Sequence, residues 1–165
     1  MADSGSNMKS TSCADSLPAR TSQEFQKPAS QVRITCQNIL VRKDRLELTV
    51  FVHPDVCFTT PALMKYCLKD YPTLSVHTCR NSKGSSFAAV MNKTSLPHLL
   101  EHLIIDIQTH LTQDSEAVFV GTTQWSAENN CKALVSVSFQ DDLVALRAVS
   151  QAIDYLNSLI GKEVE

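Results

Sequence analysis

The chain has 165 residues, 43% of them hydrophobic and 19% charged, with a net charge of −2. That length suits one domain with a substantial core and is short for two, and so balanced a charge provides no basic field for nucleic acid. No run reaches the length of a membrane span, and the N-terminus lacks the charged-then-apolar order of a secretory signal.

Residues 1–30 are rich in Ser, Thr and Ala and poor in large apolar side chains. Such a segment cannot bury enough surface to offset its ordering entropy and reads as a disordered N-terminal tail. Residues 31–165 read as a single domain. "VRITCQNILV" and "LELTVFV" are apolar and β-branched, and the charged turn "RKDR" between them makes a hairpin. "PALMKYCLKDY" follows Thr60 and opens on Pro61, a cap-then-first-turn pair that starts a short helix. "TLSVHTC" is a strand candidate, and the polar, glycine-containing "RNSKGSS" is a loop.

"SLPHLLEHLIIDIQTH" comes next and is a helix. At about 100° per residue, Leu99, Leu100, Leu103, Ile104, Ile107 and Leu111 share one stripe facing a core, while His98, Glu101, His102, Ile105 and Thr109 share the opposite side. Thr94 or Ser95 caps its start, and Pro97 fits its first turn. "AVFVGTT" and "KALVSVSF" are two further strands, with "QWSAENN" as the loop between them. The last helix runs from Asp141 to about Ile160, with Leu146, Val149, Ile153, Leu156 and Ile160 on one stripe and Gly161 at the C-cap position. The order β-β-α-β, α-β-β-α implies an α+β sandwich, a mostly antiparallel sheet with helices on one face.

The long central helix carries the chemistry. His98 and His102 are i and i+4, so both imidazoles reach one tetrahedral cation, and Glu101 lies on the same face, placed to take a proton from water. This H-x-x-E-H order is the inverted zinc-hydrolase arrangement. Two histidines and a glutamate also make an ordinary polar helix face, and a metal site needs a third protein ligand. His77 and Cys79 form a soft H-x-C pair that either joins such a site or is structural. Trp125 either floors a substrate pocket or packs over the domain edge. His110 reads as half-buried without a role, and His53 as a strand end. No phosphate-binding glycine loop and no nucleophile elbow occurs. Six cysteines (Cys13, Cys36, Cys57, Cys67, Cys79, Cys131) lack any metal-knuckle spacing and read as reduced thiols of a cytoplasmic protein.

Over residues 63–160 the chain resembles the N-terminal domain of cyanophycin synthetase. "HTCRNSKG", "TSLPHLLEHLIIDIQ", "VGTT" and "VSFQDDLVALRAVSQAIDYLNSLI" carry the likeness, with Thr94, His98, Glu101, His102, Gly121 and Thr123 in the family's order. The resemblance implies a domain that handles the branched Asp-Arg polymer and, in some members, a metallopeptidase-like site that clips it. It implies zinc held by His98, His102 and a third ligand at Asp142 (or Asp141), with Glu101 as general base; Thr123, Trp125 and Arg80 are the candidate substrate contacts. Two positions depart from the family: a strand glutamate is Ser138 here, and an arginine inside the Gly-x-Thr strand end is Thr122. The alternative is a binding or assembly module that keeps the fold without the chemistry. A homodimer is compatible with either, and neither involves nucleic acid or a membrane.

Overall fold

A computed structural model describes residues 32–112 and 116–163; the expected N-terminal tail lies outside them. The first hairpin pairs β1 (Ile34–Val41) with β2 (Arg45–Val52). Helix α1 (Pro61–Asp70) follows, then the small hairpin of β3 (Thr78–Asn81) and β4 (Gly84–Ser86). Helix α2 (Leu96–Thr112), strands β5 (Gly121–Trp125) and β6 (Lys132–Ser138), and helix α3 (Asp142–Glu163) complete the chain. The main sheet is antiparallel with order β1-β2-β6-β5, so β1 and β5 are its edges. The class is α+β, as the element order implied.

Period-2 alternation decides which face of the sheet is covered. Leu46, Leu48, Val50 and Val52 of β2 and Ala133, Val135 and Val137 of β6 are buried. They join Leu99, Leu100, Leu103 and Ile104 of α2 and Ala145, Ala148, Val149 and Leu156 of α3 in one apolar cluster, apart from Ala133. A register shift between Cys36 and Asn38 leaves Gln37 unpaired and brings Ile39 opposite Leu48, so β1 keeps an apolar side chain on the covered face beyond the bulge. Asn157 of α3 ties β1 down. Its side-chain oxygen accepts from the N–H groups of Arg33 (2.8 Å) and Ile34 (3.0 Å), and its amide donates to the Ile34 carbonyl at 2.8 Å.

Four expectations change. Pro72–Val76 is a 3-10 turn rather than the start of a strand, because Pro72 brings no N–H to a ladder and Leu74 turns into the core. The segment expected as a loop at 80–86 forms most of the β3–β4 hairpin. Strand β5 starts at Gly121, not Ala117, since Val118 (80% exposed) and Val120 (64%) find no covered face. Gly161 lies inside α3 rather than capping it.

The N-terminal caps expected for α1 and α2 hold. The Thr60 hydroxyl accepts from Leu63 N–H at 3.0 Å, and the Ser95 carbonyl accepts the first helical N–H groups of α2, from His98 at 3.0 Å and Leu99 at 3.2 Å. Asp141 caps α3, its Oδ1 accepting from Leu143 N–H at 2.9 Å and Val144 N–H at 3.0 Å. No helix among the described residues is long and apolar enough to cross a membrane.

Candidate metal centre

The polar face of α2 is largely covered over its first turns: Glu101 is 6% exposed, His102 3% and His98 half-buried, while Thr109 further along is exposed. An amphipathic helix exposes one face only when a single layer covers it, and here a second layer lies opposite the sheet. It consists of β3, whose Cys79 is buried, and the turn after β4, whose Phe87 is fully buried. The Phe87 ring lies over His102 with centroids 4.1 Å apart and meets His98 edge-on at 5.4 Å.

Three donors converge in this layer. His102 Nε2 lies 3.2 Å from His98 Nε2, and Cys79 Sγ lies 3.3 Å from the same His98 nitrogen. Their ligand atoms all fall within 4.8 Å of one another, and among the described residues these three form the group able to hold a metal ion. One thiol sulfur and two imidazole nitrogens match the soft and intermediate donors that transition-metal sites use. Burial holds the His98 imidazole below its ordinary range. It does so more strongly for His102, which burial and then the neighbouring rings of His98 and His77 bring down to about 3. Both rings are therefore neutral at neutral pH, the form in which imidazole binds a cation.

Glu101 completes the cleft from its other side. The alternation of β5 places Gly121, Thr123 and Trp125 across from Val137, Val135 and Ala133 on the covered face. Thr123 Oγ1 donates to Glu101 Oε2, and Gly121 abuts the same side chain so closely that a Cβ there would fall 2.6 Å from Oε1. Burial raises the Glu101 carboxyl above its usual range, and the Thr123 hydroxyl partly opposes that shift. Cys79, Arg80, His98, Glu101, His102 and the β5 residues line one cleft of about 400 Å³.

The open edge of β5 runs along this cleft. Ser138 N–H donates to the Val120 carbonyl and Ser126 N–H to the Lys132 carbonyl, each at 2.8 Å. The intervening alternation turns the backbone N–H and C=O groups of Gly121, Thr123 and Trp125 away from β6, toward an edge with no strand partner among the described residues.

The cleft gathers most of the sequence candidates: His98, Glu101, His102, Thr123, Trp125 and Arg80 all line it. Asp142 is not among them. It is exposed in the first turn of α3, beside the capping Asp141, and lies outside the cluster of ligand atoms. The third donor is Cys79. Ser138 is also elsewhere, its hydroxyl accepting from Val120 N–H at 2.8 Å.

His77 stands behind the cluster, with Nδ1 3.2 Å from His102 Nδ1 and Nε2 3.0 Å from Asp106 Oδ1. Sequence reasoning passed over Asp106. Its signal was its place four residues after His102, one turn further along the same helix face. His110 is more exposed than expected and lies 3.4 Å from Asp106 Oδ2. His53 directly follows β2 and caps the next turn, its Nδ1 accepting from Asp55 N–H at 3.4 Å.

Fold and cleft together define an α+β domain built around a candidate Cys/His/His metal centre beside a buried glutamate. The chain belongs to the cyanophycin synthase-like N-terminal domain family, whose model matches residues 56–161. The matched span begins after the first hairpin and takes in both the β3–β4 layer and the α2–β5 cleft. No curated protein and no solved structure matches the chain.

Proposed function

We propose that this protein is a zinc-dependent hydrolase of peptide or isopeptide bonds. The observation that carries the reading is the convergence of Cys79, His98 and His102 in a cleft that Glu101 also lines. Three protein ligands with room for a fourth partner are the pattern of catalytic rather than structural zinc. Zinc, when bound, supplies Lewis-acid polarisation of the scissile carbonyl and of water.

The remaining steps belong to the side chains. Glu101, oriented by Thr123, accepts a proton from the attacking water as its oxygen bonds to the carbonyl carbon. It then delivers that proton to the nitrogen as the C–N bond breaks. Burial of the carboxylate suits it to this exchange, because a base whose pKa lies nearer neutrality both takes and returns protons readily.

The open edge of β5 supports a peptide-like substrate. An extended chain laid beside Gly121, Thr123 and Trp125 pairs with their free backbone groups, as strands added to sheet edges do. Arg80 on the opposite wall offers a bidentate partner for a substrate carboxylate, which suits an Asp-Arg polymer or a related acidic peptide. A thiol ligand requires a reducing compartment such as the cytoplasm.

The test is elemental analysis of the full chain purified without chelators, followed by cleavage assays on the Asp-Arg polymer and on simple peptides. About one zinc per chain is expected. Glu101→Gln keeps the zinc and loses on the order of 100-fold or more in turnover. Absence of stoichiometric metal in the wild type sinks the reading. Retained metal and polymer binding, with no cleavage by the wild type, makes the protein a binding module instead.

A further inference from the structure

The metal cluster does not explain a second set of buried polar groups directly behind it. Asp106 is 2% exposed, on the same helix as His98 and His102. Its Oδ1 accepts from the Thr73 hydroxyl and lies 3.0 Å from His77 Nε2, while Oδ2 accepts no hydrogen bond and lies 3.4 Å from the exposed His110 ring. A carboxylate this deep in a domain core is costly unless its charge is used. Hydrogen bonds from His77 and Thr73 outweigh its burial and hold Asp106 below the usual carboxylate range.

With a single hydrogen on each imidazole, donor and acceptor roles propagate along this chain in one direction. An ionised carboxylate only accepts, so the ring nitrogen facing it, His77 Nε2, carries that hydrogen. The other nitrogen of His77, Nδ1, is then an acceptor. The atom it faces at 3.2 Å is His102 Nδ1, which must be the donor. A neutral His102 protonated on Nδ1 has its lone pair on Nε2, the atom that faces His98 Nε2 and the Cys79 sulfur.

We infer that His77 and Asp106 are positioning residues that lock His102 in the Nδ1–H tautomer and so prepare its Nε2 as a metal ligand, an outer support reaching from a carboxylate through one imidazole to another. This rests on the metal-centre reading above. It adds residues which that reading does not need and which no ligand motif contains. Metal-bound histidines commonly donate their second N–H to a carboxylate or carbonyl, and losing that partner weakens metal binding about 10–100-fold. Here an imidazole is the first partner and the carboxylate the second, so His77 replaces the direct carboxylate contact.

Zinc affinity of the full chain, measured by competition with a chromophoric chelator at neutral pH, tests this. His77→Ala weakens zinc binding about 10–100-fold. His77→Gln, whose amide offers an oxygen to His102 and an N–H to Asp106, recovers most of that loss. Thermal melts of the metal-free proteins run beside these titrations show whether each variant folds. The wild-type, metal-free protein gives a readout that needs no variant: ¹⁵N–¹H correlation spectra of the imidazoles show His102 protonated on Nδ1 and bare on Nε2. A His102 protonated on Nε2, or a folded His77→Ala protein that binds zinc as tightly as wild type, overturns the inference and leaves the metal site standing. A wild type that binds no zinc overturns both.

Discussion

Replacing Gly121 by alanine is the sharpest perturbation of the cleft. An ideal Cβ at this position lies 2.5 Å from Glu101 Cγ, 2.6 Å from Oε1 and 2.8 Å from Cδ, whereas ordinary contacts begin near 3.4 Å. About an ångström must be recovered along a side chain that is buried and held at its far end by Thr123. Overpacking of this kind costs about 1–3 kcal/mol, which lowers the melting temperature of a domain this size by roughly 4–10 °C. A double-mutant cycle isolates the cause. Glu101→Ala removes the three atoms nearest the new methyl, so Gly121→Ala in the Glu101→Ala background costs less than about 0.5 kcal/mol. Differential scanning calorimetry of the four metal-free proteins measures the coupling. An equal loss in both backgrounds refutes the steric account and with it the close fit of Gly121 against Glu101.

Two further predictions concern the metal-free protein. His102 has a folded pKa far below its ordinary 6.5, at about 3. Between these values the unfolded chain binds more protons, so His102's contribution to stability is complete above about pH 6.5 and falls as pH drops toward 3, by at most about 1.4 kcal/mol per unit. Glu101, with its raised pKa, acts in the opposite sense. Urea denaturation of wild type and His102→Gln across this range cancels the Glu101 contribution; parallel stability-against-pH curves for the two proteins count against a buried neutral imidazole. Asn157→Ala leaves the Arg33 and Ile34 N–H groups and the Ile34 carbonyl without their side-chain partner. It costs about 2–3 kcal/mol by thermal denaturation, and a loss below about 0.5 kcal/mol would show that β1 is anchored some other way.

Much of this architecture follows from local chemistry. The first hairpin, the amphipathic α2 and α3, and the caps at Thr60 and Ser95 are written in periodicity and side-chain type, signals that act within a few residues. So is the pairing of His98, Glu101 and His102, since helical spacing alone brings i, i+3 and i+4 to one face. The sequence could not reveal what lies against that face. A polar stripe on an isolated helix reads as solvated, and only the packing of β3 and Phe87 over the histidines and of β5 against Glu101 turns it into a site.

The third donor shows the same division. Asp142 follows the last strand and has the right charge, but it opens α3 next to the capping Asp141, outside the cluster. Cys79, offered by the sequence only as half of an H-x-C pair that either joins the site or is structural, reaches His98 because the β3–β4 hairpin folds across the helix. Asp106 and His77, 29 positions apart, meet through that fold as well. Sequence by itself determined which residues share a helix face, because backbone geometry is local and repeats. Tertiary structure decided which face is dry and which distant side chains complete it, because burial and donor convergence depend on elements that approach one another only when the chain is folded.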